Sequence, residues 1–200
     1  MININKEKIL SSLTNHGVIA FPTETVMGLG IYYDDFLAYE KLNKIKNRPE
    51  SKPYTLMLKS IDDIEKYAYL NERDRLIISK FMPGALTVLL KSKDNVADYV
   101  THNTNVIGIR VPDFDIALNV LKIANKPLLV PSANKSGERP CLTFKEVKEI
   151  FKNEIDYLVE EDSLKSNPST IVDLTGDDIK LIREGDIKFK DILEVIYHEN

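Results

Sequence analysis

The stretch Phe21-Pro22-Thr23-Glu24-Thr25-Val26-Met27-Gly28-Leu29-Gly30 is where the chain first turns from an apolar run to residues with chemistry. Val18–Phe21 has the length and apolarity of a buried strand, and Pro22 ends it by removing a backbone donor. Two threonine hydroxyls follow, then two glycines where a backbone can come close to a ligand. By residue type alone the stretch reads equally as a strand-to-helix turn capped by Thr23 or Thr25. It is not a familiar phosphate loop, because it lacks the lysine and final hydroxyl of a Walker motif and the third glycine of GxGxxG.

On either side, helix-like and strand-like segments interleave. Ile9, Leu10 and Leu13 recur at helical spacing within residues 6–15, with Gly17 as a stop. Further helices are expected over 35–46, 61–68, 71–81, Phe114–Ala124 and 189–197. Thr143 followed by Glu146 is a capping box, starting a helix that runs to about Phe151. Strands are expected at Tyr54–Leu58, Leu86–Leu90, Val106–Val111, Leu128–Val130, 156–159, 169–174 and 179–183. The alternation makes the fold class α/β, with residues 1–200 as a single domain. Several links are too short for a crossover helix, so the expected architecture is a twisted mixed β-sheet flanked by helices.

Two hundred residues can bury a full core, and 43% hydrophobic with 29% charged residues are globular proportions. A formal net charge of −4 argues against coating nucleic acid by charge alone. The single cysteine, Cys141, can form neither an internal disulfide nor a cysteine-rich zinc site. No run approaches the roughly 18 apolar residues of a membrane span, and the N-terminus has no signal-like apolar region. The expected setting is cytoplasmic, with no membrane.

Between Lys41 and Pro53 the chain sets Lys41, Lys44, Lys46, Arg48 and Lys52 against one acid, Glu50. Lys41 and Lys44 fit a solvated helix face. Lys46, Arg48 and Lys52 crowd the helix end and the loop beyond it, where like charges cost energy unless an anion is bound. Arginine offers phosphate a planar fork and lysine a mobile point charge, so the functional reading is a polyphosphate site. Arg110 ends the apolar strand Gly108-Ile109-Arg110-Val111-Pro112 and, if buried, needs an anion, either a ligand or an internal carboxylate. Pro131-Ser132-Ala133-Asn134-Lys135-Ser136-Gly137 leaves a strand at its carboxyl end, where open α/β sheets place ligands. Its short donors and acceptors read equally as turn chemistry. Ser169-Thr170 and Arg183-Glu184-Gly185 form a weaker late pair. No Cys–His or Ser–His–Asp pattern is present, and His16, His102 and His198 stand outside all these segments, as structural or surface residues.

In order and spacing these segments resemble the YrdC-like family of threonylcarbamoyl-AMP synthases. PTETVMGLG resembles the family's PTETxYGLG signature. Lys46-Asn47-Arg48 is similar to its KxR element, and Lys52-Pro53 to the KP that follows. Pro83-Gly84 with Thr87 resembles PGPxT, Gly108–Pro112 the GVRxP strand, and Ser132-Ala133-Asn134 the SxN partner of KxR. Ser169–Asp173 and Ile182–Gly185 resemble the STVVD and LRxG endings, so the likeness runs from about residue 18 to 186. Two positions depart from it. Met27 stands where the family has tyrosine and is expected still to line the pocket. Ala85 replaces the second proline of PGPxT, which is expected to loosen a turn. The chain resembles the short, single-domain form.

The resemblance implies an L-threonylcarbamoyladenylate synthase, a nucleotidyltransferase. Threonine's amine captures bicarbonate as a carbamate, a carbamate oxygen attacks the α-phosphorus of ATP, and pyrophosphate leaves. Such a step asks for positioning and charge neutralisation more than for a covalent nucleophile. Residue by residue it implies Lys46 and Arg48 as catalytic groups. Arg48, Lys52, Ser132, Asn134, Pro140 and Arg183 fall at ATP, and Thr25, Arg110, Val130 and Ser169 at threonine. Mg2+ arrives with ATP, and no protein metal site is expected. The implied partners are ATP, L-threonine and bicarbonate, then the threonylcarbamoyl-transferase machinery that modifies tRNA, with a weak RNA contact of the chain's own. Two rival classes are weighed. A carbamoyltransferase-type YrdC-like domain comes with Cys-pair zinc motifs, against the single cysteine. An RNA-binding YrdC-like module fits poorly with a pI of about 5.5 and cations not interleaved with aromatics.

Overall fold

The structure is a computed structural model, and it describes residues 4–48, 53–164 and 167–197. Its strands are β1 (Ile19–Phe21), β2 (Gly28–Tyr32), β3 (Thr55–Met57), β4 (Leu86–Lys91), β5 (Val106–Arg110), β6 (Leu128–Leu129), β7 (Tyr157–Leu158), β8 (Thr170–Asp173) and β9 (Lys180–Arg183). They form one nine-stranded sheet in the order β7–β1–β2–β6–β3–β5–β4–β8–β9. Three pairs, β1/β7, β3/β5 and β4/β8, are parallel and the others antiparallel, which makes the sheet mixed as expected. The helices are α1 (Lys6–Thr14), α2 (Phe36–Lys46), α3 (Glu72–Phe81), α4 (Asp98–Thr101), α5 (Asp115–Ala124), α6 (Phe144–Phe151) and α7 (Phe189–Tyr197).

Strand pleating sorts the apolar runs onto two faces. Val18, Ala20, Leu56, Leu58 and Leu129 join the cluster built with α2, α3, α6 and α7. Their neighbours Ile19, Phe21, Met57, Leu128 and Val130 join the cluster built with α1 and α5. Burial on both faces is why these strands read as unbroken apolar runs rather than alternating ones. On the second face, α1 and α5 pack beside β1. Farther along it, the register Thr55↔Gly108, Met57↔Arg110 and Thr87↔Ile171 turns Thr55, Met57, Arg110, Thr87 and Ile171 to one side. These positions floor the site described below.

Two expectations are corrected, and one element was not foreseen. Residues 21–30 make a strand-to-strand hairpin, not a strand-to-helix turn: β1 pairs with β2 through Ile19↔Gly30 and Phe21↔Gly28. Residues 61–68 form a 3-10 helix over Ile61–Lys66 instead of an α-helix. The single turn α4 carries no sequence signal and was not expected. The capping box is present as read, with Thr143 Oγ1 accepting from Glu146 N at 3.2 Å and Glu146 Oε2 accepting from Thr143 N at 3.1 Å. The Pro83–Ala85 turn is pinned despite its alanine: Gly84 N donates to Val111 O and Thr170 N to Ala85 O, each at 2.9 Å.

Gly30 is required by close packing across the hairpin. A Cβ there would lie 2.7 Å from Cε1 of Phe21, itself fully buried. Gly30→Ala therefore overpacks the core and is expected to lower unfolding free energy by about 1–3 kcal/mol, read from the urea midpoint. An unchanged midpoint would show that the Phe21 ring moves aside freely.

Candidate active site

A cavity of about 210 Å3 opens on the floor formed by Thr55, Met57, Thr87 and Ile171. The hairpin turn walls one side through Thr23 and Thr25–Gly28, Val130–Ser132 wall another, and Pro168, Ser169 and Arg183 a third, with Arg48, Pro53 and Tyr54 at the remaining edge. Arg48, Arg110 and Arg183 line it, and among the described residues no carboxylate does. In a protein of net charge −4 this is a local concentration of positive charge suited to an anion.

The Arg110 end is built by the hairpin turn. Thr23 Oγ1 donates to Val26 O at 2.8 Å and accepts from Thr25 N and Val26 N at 3.2 and 3.3 Å, which closes the turn. Thr25 Oγ1 then accepts from Arg110 Nη1 at 3.0 Å, while Arg110 Nε donates to Gly84 O at 3.2 Å. The third corner, Nη2, lies 2.6 Å from Glu24 Oε1. Of the two partners left open for Arg110 by its sequence, the one in contact is thus an internal carboxylate. Beside it, Thr87 Oγ1 and Ser169 Oγ are 2.8 Å apart and either can donate. Arg183 Nε and Nη2 grip Ser169 O at 3.0 and 2.8 Å. Burial, with Arg110 nearby, lowers the Arg183 pKa. The Arg183 turn approaches this segment because Gly185 has no side chain: its N–H donates to Thr170 Oγ1 at 2.9 Å, and a Cβ would collide with Pro168 O.

The opposite end joins the close of α2 to the loop after β6. Arg48 lies 4.5 Å over the Tyr54 ring and its Nη2 donates to Pro53 O at 2.8 Å. Tyr54 is fixed in turn by its hydroxyl, 2.6 Å from Asn43 Oδ1. Lys46 is only 1% exposed. Its Nζ donates to Ser132 O at 2.6 Å, Asn134 O at 2.7 Å and Asn134 Oδ1 at 3.3 Å. Asn134 Nδ2 is likewise committed to Lys135 O and Glu138 O, and Ser132 Oγ to Asn134 Oδ1 at 2.6 Å. Burial, and next Arg48, pull the Lys46 ammonium down to about 7, with Cys141 opposing.

The structure therefore brings Thr25, Arg48, Arg110, Val130, Ser132, Ser169 and Arg183 around one cavity, with Met27 lining it as expected. Lys46, Asn134 and Pro140 are not in its lining. A direct phosphate contact by Lys46 is not what this geometry offers, because its three hydrogen bonds all go to the Ser132–Asn134 loop; it acts as a brace. Lys52 and His198 fall outside the described residues. His16 pairs with Asp35 at 2.8 Å and His102 Nε2 meets Tyr39 OH at 3.2 Å, both away from the cavity.

The Sua5_yciO_yrdC family model, described as telomere recombination, matches residues 11–185. The chain belongs to this family. It is 36% identical over 181 residues to a Methanocaldococcus jannaschii protein provisionally named a threonylcarbamoyl-AMP synthase, covering 90% of this chain and 84% of that one. With the threonylcarbamoyl-AMP synthase of Blochmanniella pennsylvanica it shares 35% identity, over 90% of this chain and 93% of the relative. The crystal structure of Pyrococcus abyssi Sua5 complexed with L-threonine superposes with a TM-score of 0.90 at 29% identity. That match covers 97% of this chain but 58% of the Pyrococcus chain, which is longer.

Within the Sua5–YciO–YrdC frame, sequence reasoning missed Glu24, Thr23, Tyr54, Thr55 and Thr87 as parts of the site. Glu24 and Thr23 sat in the signature and Thr87 in the PGPxT-like segment, so a signal existed; Tyr54 and Thr55 carried none. The Lys46 brace makes a pH prediction. Above about pH 7 folded Lys46 is neutral, whereas the unfolded side chain keeps its proton to about pH 10. The unfolded state binds more protons in that window, so this group makes stability rise with pH by up to about 1.4 kcal/mol per unit. Urea unfolding from pH 7 to 10 is expected to show that rise in the wild type and its loss in Lys46→Met; equal slopes would refute it.

Proposed function

We propose that this chain is an L-threonylcarbamoyladenylate synthase, a nucleotidyltransferase that forms threonylcarbamoyl-AMP and pyrophosphate from L-threonine, bicarbonate and ATP. The observation that carries the reading is the cavity lined by three arginines and, among the described residues, by no carboxylate, in a chain of this family. Arg110, Thr25 and the Thr87–Ser169 hydroxyl pair form the amino-acid end. Arg110 offers its charge to the threonine carboxylate, and the short hydroxyls suit a small polar side chain. Arg48 and Ser132 form the phosphate end, and Arg183, held on Ser169 O beside the amino-acid end, is proposed to reach the phosphates from that side. The cavity is smaller than the roughly 300–1,000 Å3 of ordinary ligand clefts, so it encloses the reacting groups and leaves the nucleoside toward the mouth.

No covalent nucleophile is called for. The threonine amine adds to bicarbonate with loss of water, a carbamate oxygen attacks the α-phosphorus, and pyrophosphate carries away the displaced bond pair. The chain's share is to align carbamate with phosphate and to offset charge on the leaving group. Among the described residues no group of three or more His, Cys, Asp or Glu is placed to hold a metal. With no carboxylate among the described lining residues either, magnesium is proposed to arrive on the triphosphate. The product would pass to threonylcarbamoyl-transferase machinery acting on tRNA, with at most a weak RNA contact of the chain's own. No helix among the described residues is long and apolar enough to cross a membrane.

Incubation with ATP, magnesium, threonine and bicarbonate is expected to yield threonylcarbamoyl-AMP by mass spectrometry. Pyrophosphate release that persists without threonine would overturn the proposal. The two arginines should also separate by ligand. Arg48→Ala is expected to weaken ATP binding about tenfold or more while sparing threonine, and Arg110→Ala to do the reverse. Calorimetry on each ligand alone checks this, and equal loss of both ligands in folded variants would refute the division.

A further inference from the structure

Glu24 stands directly behind the arginine assigned to threonine. Its Oε1 lies 2.6 Å from Arg110 Nη2, with the two side chains only 9% and 6% exposed. The contact has the distance of an ion pair without the alignment of a hydrogen bond, for Arg110 Nη2 and Glu24 Oε2 are both buried and lack hydrogen-bond partners. The other contacts of the pair are fully made: Nε holds Gly84 O, Nη1 holds Thr25 Oγ1, and Glu24 Oε1 accepts from Asp113 N at 3.1 Å. Glu24 is absent from the cavity lining, whereas Arg110 is part of it. A carboxylate entering the cavity therefore meets a guanidinium that already has a negative charge on its far side.

We propose that Glu24 is a positioning residue with two separable effects: its oxygen aims Arg110 into the cavity, and its charge holds down the affinity of that arginine for a ligand carboxylate. The proposal rests on the threonine reading above. Two carboxylates sharing one buried guanidinium repel each other through a medium that screens weakly. Such an arrangement keeps the amino acid exchangeable while the geometry stays set before it arrives. With Glu24 neutral but still shaped to hold Asp113 N, Arg110 would direct its whole charge to the ligand. With the side chain cut back, Arg110 would lose the contact that orients its third corner.

The test compares Glu24→Gln, which keeps size and Oε1 but removes the charge, with Glu24→Ala, which removes both. Titration of L-threonine into each full-length protein by calorimetry is expected to give binding about three- to thirtyfold tighter than wild type for Glu24→Gln. Glu24→Ala is expected to bind about tenfold or more weaker. In turnover, Glu24→Gln should lower the KM for threonine without lowering that for ATP, a split that general loosening of the fold does not produce. Folded Glu24→Gln binding threonine no tighter than wild type overturns the charge effect, and Glu24→Ala binding as tightly as Glu24→Gln overturns the aiming effect. Should Glu24→Ala fail to fold, Glu24→Asp takes its place, with the carboxylate withdrawn by one methylene and weaker binding expected. A wild type that binds ATP but no threonine refutes the proposed function itself, and this proposal with it.

Discussion

Three guanidinium groups at one cleft, and beside it the buried Lys46 amine that loses its proton above about pH 7, have to be held in a protein whose net charge is −4. Placing carboxylates against all of them would hold them well and leave nothing for a ligand. The fold instead grips much of this charge with neutral oxygens. Arg183 is held by Ser169 O, Lys46 by Ser132 O and Asn134 O, and Arg48 reaches Pro53 O. A carbonyl dipole fixes the direction of a donor without cancelling its charge, so a net positive field survives at the cavity. Arg110 is the exception, and its partner Glu24 sits behind it instead of in the cavity.

Holding those carbonyls in place falls to backbone links between segments far apart in the chain. Met27 N donates to Cys141 O at 3.0 Å, Ala133 N to Met27 O at 2.7 Å and Cys141 N to Ala133 O at 2.8 Å. Ser136 N donates to Lys46 O at 2.7 Å, so the loop and the α2 end that carries Lys46 grip each other in both directions. The conformation of the loop after β6 is thus coupled to both the hairpin turn and the end of α2. Cys141 has a packing part in this: it is buried, and burial pushes its thiol up to about 11, far from thiolate chemistry.

Much of this was legible in the sequence because strands buried on both faces leave continuous apolar runs and capping residues leave spaced signals. The positions of β4, β5, α5 and α6 follow from such patterns. The second strand of the hairpin did not, because Gly28 and Gly30 weaken any strand signal. They are glycine for a tertiary reason, since Cβ atoms there would lie 2.7 Å from Val130 Cγ1 and Phe21 Cε1. The site was read through its motifs, which name residue types but not directions. Lys46 and Asn134 look like ligand groups in one dimension, and only the fold turns them onto each other. The partner of Arg110 was undecidable between ligand and internal carboxylate until Glu24 was placed beside it.

What the arrangement lacks also fits its chemistry. His16 and His102 lie elsewhere and the one thiol is buried, so among the described residues the cavity presents guanidiniums and hydroxyls with no histidine or thiol beside them. Groups of this kind accelerate a reaction when they are fixed before the charge develops and when water is kept from screening them. Both conditions are met by the packing: Arg110, Thr25 and Ser169 are at most 5% exposed, and Thr87 and Ser169 hold each other's hydroxyls at 2.8 Å. The Arg110 end combines strand residues, Arg110 of β5 and Thr87 of β4, with Thr25 of the hairpin turn and Ser169 just before β8, whereas Arg48 and Ser132 at the other end both lie in loops.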